Sequence, residues 1–247
     1  MRIPLLLTVL LFCCPVTHAQ SKDEADSPGK TLPRRPPNTL SEMEKERGFV
    51  LLFDGETFEG WHGYQSEKPH DGWTVNNGMI SLVEGKKGDL VSDKQYSSFD
   101  LRLQYRISEN GNSGVFYHVD ESLPRSPHSG PEVQIVDNNG EKWKEGDARH
   151  KDGANYALHA PAEDVSKPAG KWNALRVVVD GNHVRHFLNG TKIVDFEMHT
   201  DEWKEMVAAT KFSKWPAYGM AGKGHIVLQD HGNPVSFRNI RILELKE

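Results

Sequence analysis

Cysteine is almost missing from this chain. Its 247 residues contain two, Cys13 and Cys14, side by side near the N-terminus. Once the apolar leader that holds them is removed, no disulfide framework, thiolate zinc site or cysteine nucleophile is left. A dominant charge is missing too: 30 Lys and Arg stand against 35 Asp and Glu, a net charge of −5, with the signs interspersed. That balance gives no case for nucleic acid or an anionic membrane as partner. The familiar signatures of several chemistries are also absent. No His-Glu-x-x-His pattern or tight ligand trio nominates a metal site, and no phosphate loop, dinucleotide fingerprint or Gly-x-Ser-x-Gly elbow occurs. The loop with Asp147 and Asp152 lacks the spaced oxygen ligands of a calcium hand.

One long apolar run exists, Ile3 to Cys14. It follows Arg2, is too short to read as a membrane span, and leads to Thr17-x-Ala19. We read residues 1–19 as a secretory signal cut after Ala19, which makes the protein exported, periplasmic or extracellular. A lipoprotein signal ending at Cys13 or Cys14 is the other reading, but Leu11 and Phe12 stand where small residues are expected. Residues 20–46 read as a Pro-rich flexible linker (Pro28, Pro33, Pro36, Pro37) with too little apolar surface to offset its ordering entropy. Within it Ser41-Glu42-Met43-Glu44 resembles a capping box and predicts one short helical turn.

Residues 47–247 read as one domain, rich in strand signals. Phe99, Leu101, Leu103, Tyr105 and Ile107 alternate with Asp100, Arg102, Gln104 and Arg106, the period of a half-buried strand. Asn76-Asn77-Gly78 and Asn189-Gly190 mark tight hairpins. Only Asp201 to Lys214 looks helical, with Trp203, Met206 and Val207 on one face. About a dozen short strands with a single helical insertion predict an all-β fold: a two-sheet antiparallel sandwich, a jelly roll.

Two stretches carry polar residues in suggestive places. In Pro131-Glu132-Val133-Gln134-Ile135-Val136-Asp137, Val133 and Ile135 would face a core while Glu132 and Gln134 project together from the other face. Asp137 follows at the strand end. Carboxylate and carboxamide in that arrangement suit sugar recognition or acid/base chemistry, although a solvated sheet face would look the same. In Gln229-Asp230-His231-Gly232, a His beside a carboxylate can be a tuned proton carrier, or simply satisfy loop backbone. Of the six Trp, one or two are expected to face a ligand and the rest to be core.

These residues also carry a family resemblance. Gly48-Phe49-x-Leu51-Leu52-Phe53-Asp54-Gly55 with Gly60-Trp61, Asn112-Ser113-Gly114, the Pro131–Asp137 strand, Lys167-Pro168-Ala169-Gly170-Lys171-Trp172-Asn173, Arg185-His186-Phe187-Leu188-Asn189-Gly190, Gln229-Asp230-His231-Gly232 and Phe237-Arg238-Asn239-Ile240 occur in order. Together they resemble the bacterial 3-keto-disaccharide hydrolase domain, a concanavalin-like sandwich. The resemblance implies cleavage of glycosides already oxidised at carbon 3. The ketone acidifies the hydrogen on carbon 2, a base removes it, the glycosidic oxygen leaves carbon 1, and water adds to the enone. It implies Glu132 and His231 as acid/base residues. Gln134, Asp137, Asn112, Gln229, Asp230 and one of Arg185 or His186 are implied as binding groups. No redox cofactor is expected, because the oxidation belongs to a separate sugar 3-oxidoreductase. A divalent cation could polarise the ketone, but no ligands are nominated.

Glu132-x-Gln134-x-x-Asp137 is also similar to the Glu-x-Asp-x-x-Glu strand of laminarinase-type glycosidases, with Gln and the shorter Asp in place of two carboxylates. A non-catalytic carbohydrate-binding module is the third alternative.

Overall fold

Alternation of apolar and polar residues sets the architecture, and tight turns fold it back on itself. In the computed structural model, residues 35–83, 85 and 87–246 are described. The leader expected over 1–19, and the linker as far as residue 34, lie outside the described residues. Thirteen strands and two α-helices occur among the described residues. They are β1 (Val50–Leu51), β2 (Trp61–Gly63), β3 (Trp73–Asn76), β4 (Met79–Leu82), β5 (Leu90–Tyr96), β6 (Phe99–Ile107) and β7 (Asn112–Val119), followed by β8 (Glu132–Val136), β9 (Asn173–Asp180), β10 (His183–Leu188), β11 (Thr191–Glu197), β12 (Gly224–Leu228) and β13 (Val235–Glu244). The helices are α1 (Glu42–Arg47) and α2 (Asp201–Ala208).

Two antiparallel sheets result. The eight-stranded sheet runs β11-β10-β9-β6-β13-β4-β3, with β1 on β13, and the five-stranded sheet runs β2-β5-β12-β7-β8. At the β3–β4 hairpin Asn77 and Gly78 both take positive φ, 51° and 70°, the primed turn whose twist matches the strands. Leu101, Leu103 and Tyr105 of the large sheet meet Val115, Tyr117, Val133, Ile135, Ile226 and Leu228 of the small one in a single buried core. This is the two-sheet sandwich expected from the sequence.

The outer face of the small sheet is not solvated. Val91, Phe116, Val119 and Val227 form a second apolar cluster there, under Tyr64. Strands β7, β8 and β12 are therefore buried on both faces, and the face that carries Glu132 is covered by loops.

The segment expected to be helical from Asp201 to Lys214 is split. Helix α2 is capped by Thr200, whose Oγ1 accepts the Trp203 N–H at 3.1 Å, and it stops at Ala208. Thr210 then caps a separate 3-10 turn, Lys211–Lys214, which lets Phe212 turn inward to stack on Tyr218 at 3.9 Å. The N-terminal capping box is present at Ser41 and Glu44. Residues 35–46, read as linker from their prolines, belong to the compact unit. Asn38 and Asn239 exchange backbone-to-side-chain hydrogen bonds of 2.5 and 2.8 Å, anchoring this segment to β13.

Candidate active site

Strand register brings the polar residues together. Across β7 and β8, Asn112 pairs with Val136, Gly114 with Gln134 and Phe116 with Glu132. Gln229, just beyond β12, donates its backbone N–H to the Gly114 carbonyl at 2.9 Å. Asn112, Glu132, Gln134 and Gln229 thus share one floor, at the bottom of a cleft of about 880 Å³. One wall carries Tyr64, His70, Lys87 and Asp89; the other carries Tyr156, Lys211, Trp215 and His128. The strand order explains the division: β5 and β2 lie to one side of β12 and β7, whereas Tyr156 follows the residue bridged to the open edge of β8.

The floor is enclosed and polar, an unusual combination. Gln134 is 1% exposed and Glu132 6%. Both amide atoms of Gln134, Asn112 Oδ1 and Gln229 Oε1 are buried without a hydrogen-bond partner. Such groups cost about 1–3 kcal/mol each when left unpaired, so their clustering marks a place where a hydroxyl-bearing ligand restores what is missing. Burial pushes Glu132 up to about 8; the Asp89 charge adds to this, while Lys211 and a hydrogen bond from Gln229 oppose it. At neutral pH its carboxyl holds a proton. Asp89 is also raised by burial, although its oxygens accept the Ser126 hydroxyl at 2.5 Å and the Asp230 N–H at 2.8 Å.

His231 stands at the rim, partly open to water. Desolvation of the rest of the ring, followed by the Lys142 and Lys211 charges, lowers its pKa, against the opposing pull of Asp230. Asp230 lines the cleft, but it also organises the loop: its carboxylate accepts the N–H groups of Lys87 (2.8 Å), Gly88 (3.2 Å) and Gly232 (2.9 Å).

Of the expected site residues, Glu132, Gln134, Asn112, Gln229, Asp230 and His231 therefore converge on one cleft. Two do not. Asp137 turns away and accepts the Asn110 and Asn139 N–H groups at 3.0 and 3.3 Å, so it holds a turn. Arg185 lies on the outer face of the eight-stranded sheet, and His186 points into the core, where its Nδ1 donates to the Gly153 carbonyl at 3.0 Å. Neither reaches the cleft. Asp89, Tyr156, Lys211 and Trp215 were not foreseen individually. They come from loops and a 3-10 turn, which have no periodicity to read; Trp215 alone matches the expectation that one or two Trp face a ligand.

A second cluster braces one wall. His62 bridges Asp93 Oδ1 at 2.6 Å and Glu121 Oε2 at 2.9 Å, joining β2 to the loop that supplies Pro124 and Arg125 to the cleft. Among the described residues, no group of three or more His, Cys, Asp or Glu could hold a metal ion.

A jelly-roll sandwich with a proton-bearing buried acid and a floor of open amides defines a carbohydrate-active class. Residues 48–243 match the model of the 3-keto-alpha-glucoside-1,2-lyase-like domain, and the chain belongs to this family. It is 31% identical to a 3-keto-disaccharide hydrolase of Bacteroides thetaiotaomicron over 271 aligned positions, covering 95% of this chain and 93% of that one. A crystal structure from Parabacteroides distasonis, described as a glycosyl hydrolase, superposes with a TM-score of 0.80 at 35% identity, covering 85% of this chain and all of that one. A second P. distasonis structure of the same description gives 0.63 at 26% identity, covering 80% and 99%. The chain is a carbohydrate hydrolase of the sandwich type.

Proposed function

We propose that the cleft cleaves the glycosidic bond of 3-keto-glycosides by elimination and hydration. The observation that carries this reading is the pairing of a buried, protonated Glu132 with a neutral His231 around a floor of unpartnered amides. Two titratable groups whose surroundings push their pKa values past each other divide the acid and base roles between them. His231 takes the proton from carbon 2. The electron pair forms the C1–C2 double bond, the bond from C1 to the glycosidic oxygen breaks, and Glu132 protonates the leaving oxygen. The transient charge on the ketone oxygen falls to the Gln134 amide N–H, a donor of the oxyanion-hole kind, while Asn112 Oδ1 is open to accept from a sugar hydroxyl. For hydration the roles reverse: Glu132, now a carboxylate, takes a proton from the water that adds to carbon 1, and His231 returns its proton to carbon 2. Both residues end as they began.

The ketone must be installed by a separate sugar oxidoreductase, and the Arg2–Ala19 leader supports export, so we place the reaction in the periplasm or outside the cell. Asp137 lies away from Glu132, which argues against the two-carboxylate arrangement of a retaining glycosidase. The test is incubation with a glucoside and with its 3-keto counterpart, following released sugar. Turnover of the keto form alone is expected. Equal turnover of both, or binding without turnover, would overturn the reading in favour of an ordinary glycosidase or a binding module.

A further inference from the structure

The outer face of the eight-stranded sheet, on the opposite side of the molecule from the cleft's sheet, carries a concentration of arginine. Eight of the ten arginines among the described residues lie there. Six come from four adjacent strands: Arg102 and Arg106 on β6, Arg176 on β9, Arg185 on β10, and Arg238 and Arg241 on β13. Directly paired residues on antiparallel strands share a face, and the register sets Arg241, Arg102 and Arg176 side by side across three strands. Arg185 pairs with Val178, itself opposite Asp100, which fixes it to the same side. Arg35 and Arg47 join from the segment packed over β13. The remaining two, Arg125 and Arg149, are elsewhere. In a chain of net charge −5, this is a local segregation rather than a general excess.

The face is only partly neutralised from within. Arg102 and Arg176 each grip Asp100 through two hydrogen bonds of 2.8–3.0 Å, and Arg35 and Arg241 hold Glu44 at 2.8 and 2.6 Å. Arg106 and Arg238 have no carboxylate partner. Arg185 stands across from Asp195 of β11, but that carboxylate is taken by His183 and Lys192, and Arg185 Nε is buried with no hydrogen bond. Arg106 and Arg238 both sit over the ring of Trp172, at 5.0 and 4.0 Å. Two like charges held against one ring repel, and an anion shared between them would relieve that cost. Beside them a groove of about 260 Å³ is lined by Arg35, Arg102, Arg176 and Arg241, with Phe187.

We propose that this face docks an acidic polysaccharide, whose carboxylate or sulfate groups are taken by the guanidinium forks. Guanidinium matches both anions with two parallel hydrogen bonds. Four adjacent strands give roughly 14 Å of arginine-bearing width at the usual strand spacing, a span that suits a chain better than a single ion. The aromatic rings Phe49, Trp172 and Phe187 each hold a guanidinium, at 4.6, 4.0 and 4.8 Å from the ring centre, contacts that a stacking nucleic-acid base would have to displace.

The experiment measures binding of the full chain to polygalacturonate and to dextran sulfate, with neutral dextran, phosphatidylglycerol vesicles and duplex DNA alongside. Binding to at least one acidic glycan, none to neutral dextran, and loss near 0.5 M NaCl, where the Debye length shrinks to about 4 Å, are expected. Arg106→Gln with Arg238→Gln removes two cations that have no carboxylate partner and should raise Kd about tenfold, in a protein that still unfolds cooperatively. Arg185→Gln is a second, independent variant with the same expected direction. Failure to bind either acidic glycan at low salt, wild-type affinity in folded variants, or tighter binding to vesicles or DNA than to glycan would each overturn the proposal.

Discussion

The Glu132 carboxyl lies across Gly114: a Cβ built on that glycine would stand 2.4 Å from Glu132 Oε1 and 3.0 Å from its Cγ. Gly114 has no need of a positive φ, so what its position requires is space. Gly114→Ala should fold, at a cost of about 1–3 kcal/mol for the added atom, and should push the carboxyl off its seat. A displacement on the order of 1 Å can lower turnover about 10²-fold. Near-normal kcat in the folded variant would show that the close approach does not set the position of the acid.

Glu132→Gln keeps volume and neutrality, because the buried carboxyl is already protonated at neutral pH. Turnover on a 3-keto substrate should fall about 10²–10⁴-fold, while ligand binding persists. In the wild type kcat/KM should be bell-shaped. The rising limb follows loss of the proton from His231, below the ordinary His value of 6.5. The falling limb follows ionisation of Glu132 at about 8. A falling limb that survives in residual Glu132→Gln activity would remove Glu132 from the acid role.

Stability should decline as pH rises through the same range. Glu132, moved from 4.5 to about 8, and Asp152, moved from 3.8 to about 7, both owe the rise first to burial. Each is protonated in the native state where the unfolded chain has already released its proton. Below about pH 6.5 His159 and the buried His186, both lowered to about 4 first by desolvation, work the other way. Above it they are neutral in both states, so between about pH 6.5 and 8 the native state binds more protons and stability falls with pH. The Tm at pH 8 should lie at least about 2 °C below that at pH 6.5, with a smaller drop in Glu132→Gln. A Tm rising across this interval would contradict the burial of both carboxyls.

Much of this was legible in the sequence because β-sheets write their geometry into alternation. The strand Phe99 to Ile107 and the Asn77-Gly78 turn name their own conformations, and they stand where expected. Glu132 and Gln134 were placed on one face for the same reason. What alternation cannot say is whether that face meets water. Val91, Phe116 and Val227 come from three separate strands, and only assembly makes them an apolar cluster on that face. The cleft walls depend on loops, and Asp137 fell outside the site because the strand ends one residue earlier and its side chain serves a turn. The arginine face was hidden for a related reason: interspersed charges in the chain are sorted onto one surface only when strands pair.

His62 braces the wall that carries Pro124 and Arg125. Burial alone would lower its pKa, but the hydrogen bonds to Glu121 and Asp93 outweigh this and raise it. The imidazolium contributes stability below pH 6.5 that is lost as pH rises through the raised value. His62→Gln should loosen the 120–125 loop, raising KM more than it lowers kcat, with the gap from wild type shrinking at higher pH. Unchanged KM at pH 6 would show that the clamp does not shape the cleft.

Gln134 sets function against stability most directly. Both ends of its amide are buried without a partner from the protein, a cost of about 1–3 kcal/mol that a sugar hydroxyl would offset. Gln134→Met fills the same space without polar atoms and should stabilise the free protein, on the order of 1 kcal/mol, or about 2–4 °C in Tm for a domain of this size. The same change removes the donor and acceptor offered to the sugar, so KM for a 3-keto-glycoside should rise about tenfold or more while the fold tightens. Opposite movement of the two quantities is the signature to look for. A variant that lost stability would mean the amide is satisfied in the free protein, and one that kept its KM would mean the sugar never touches it.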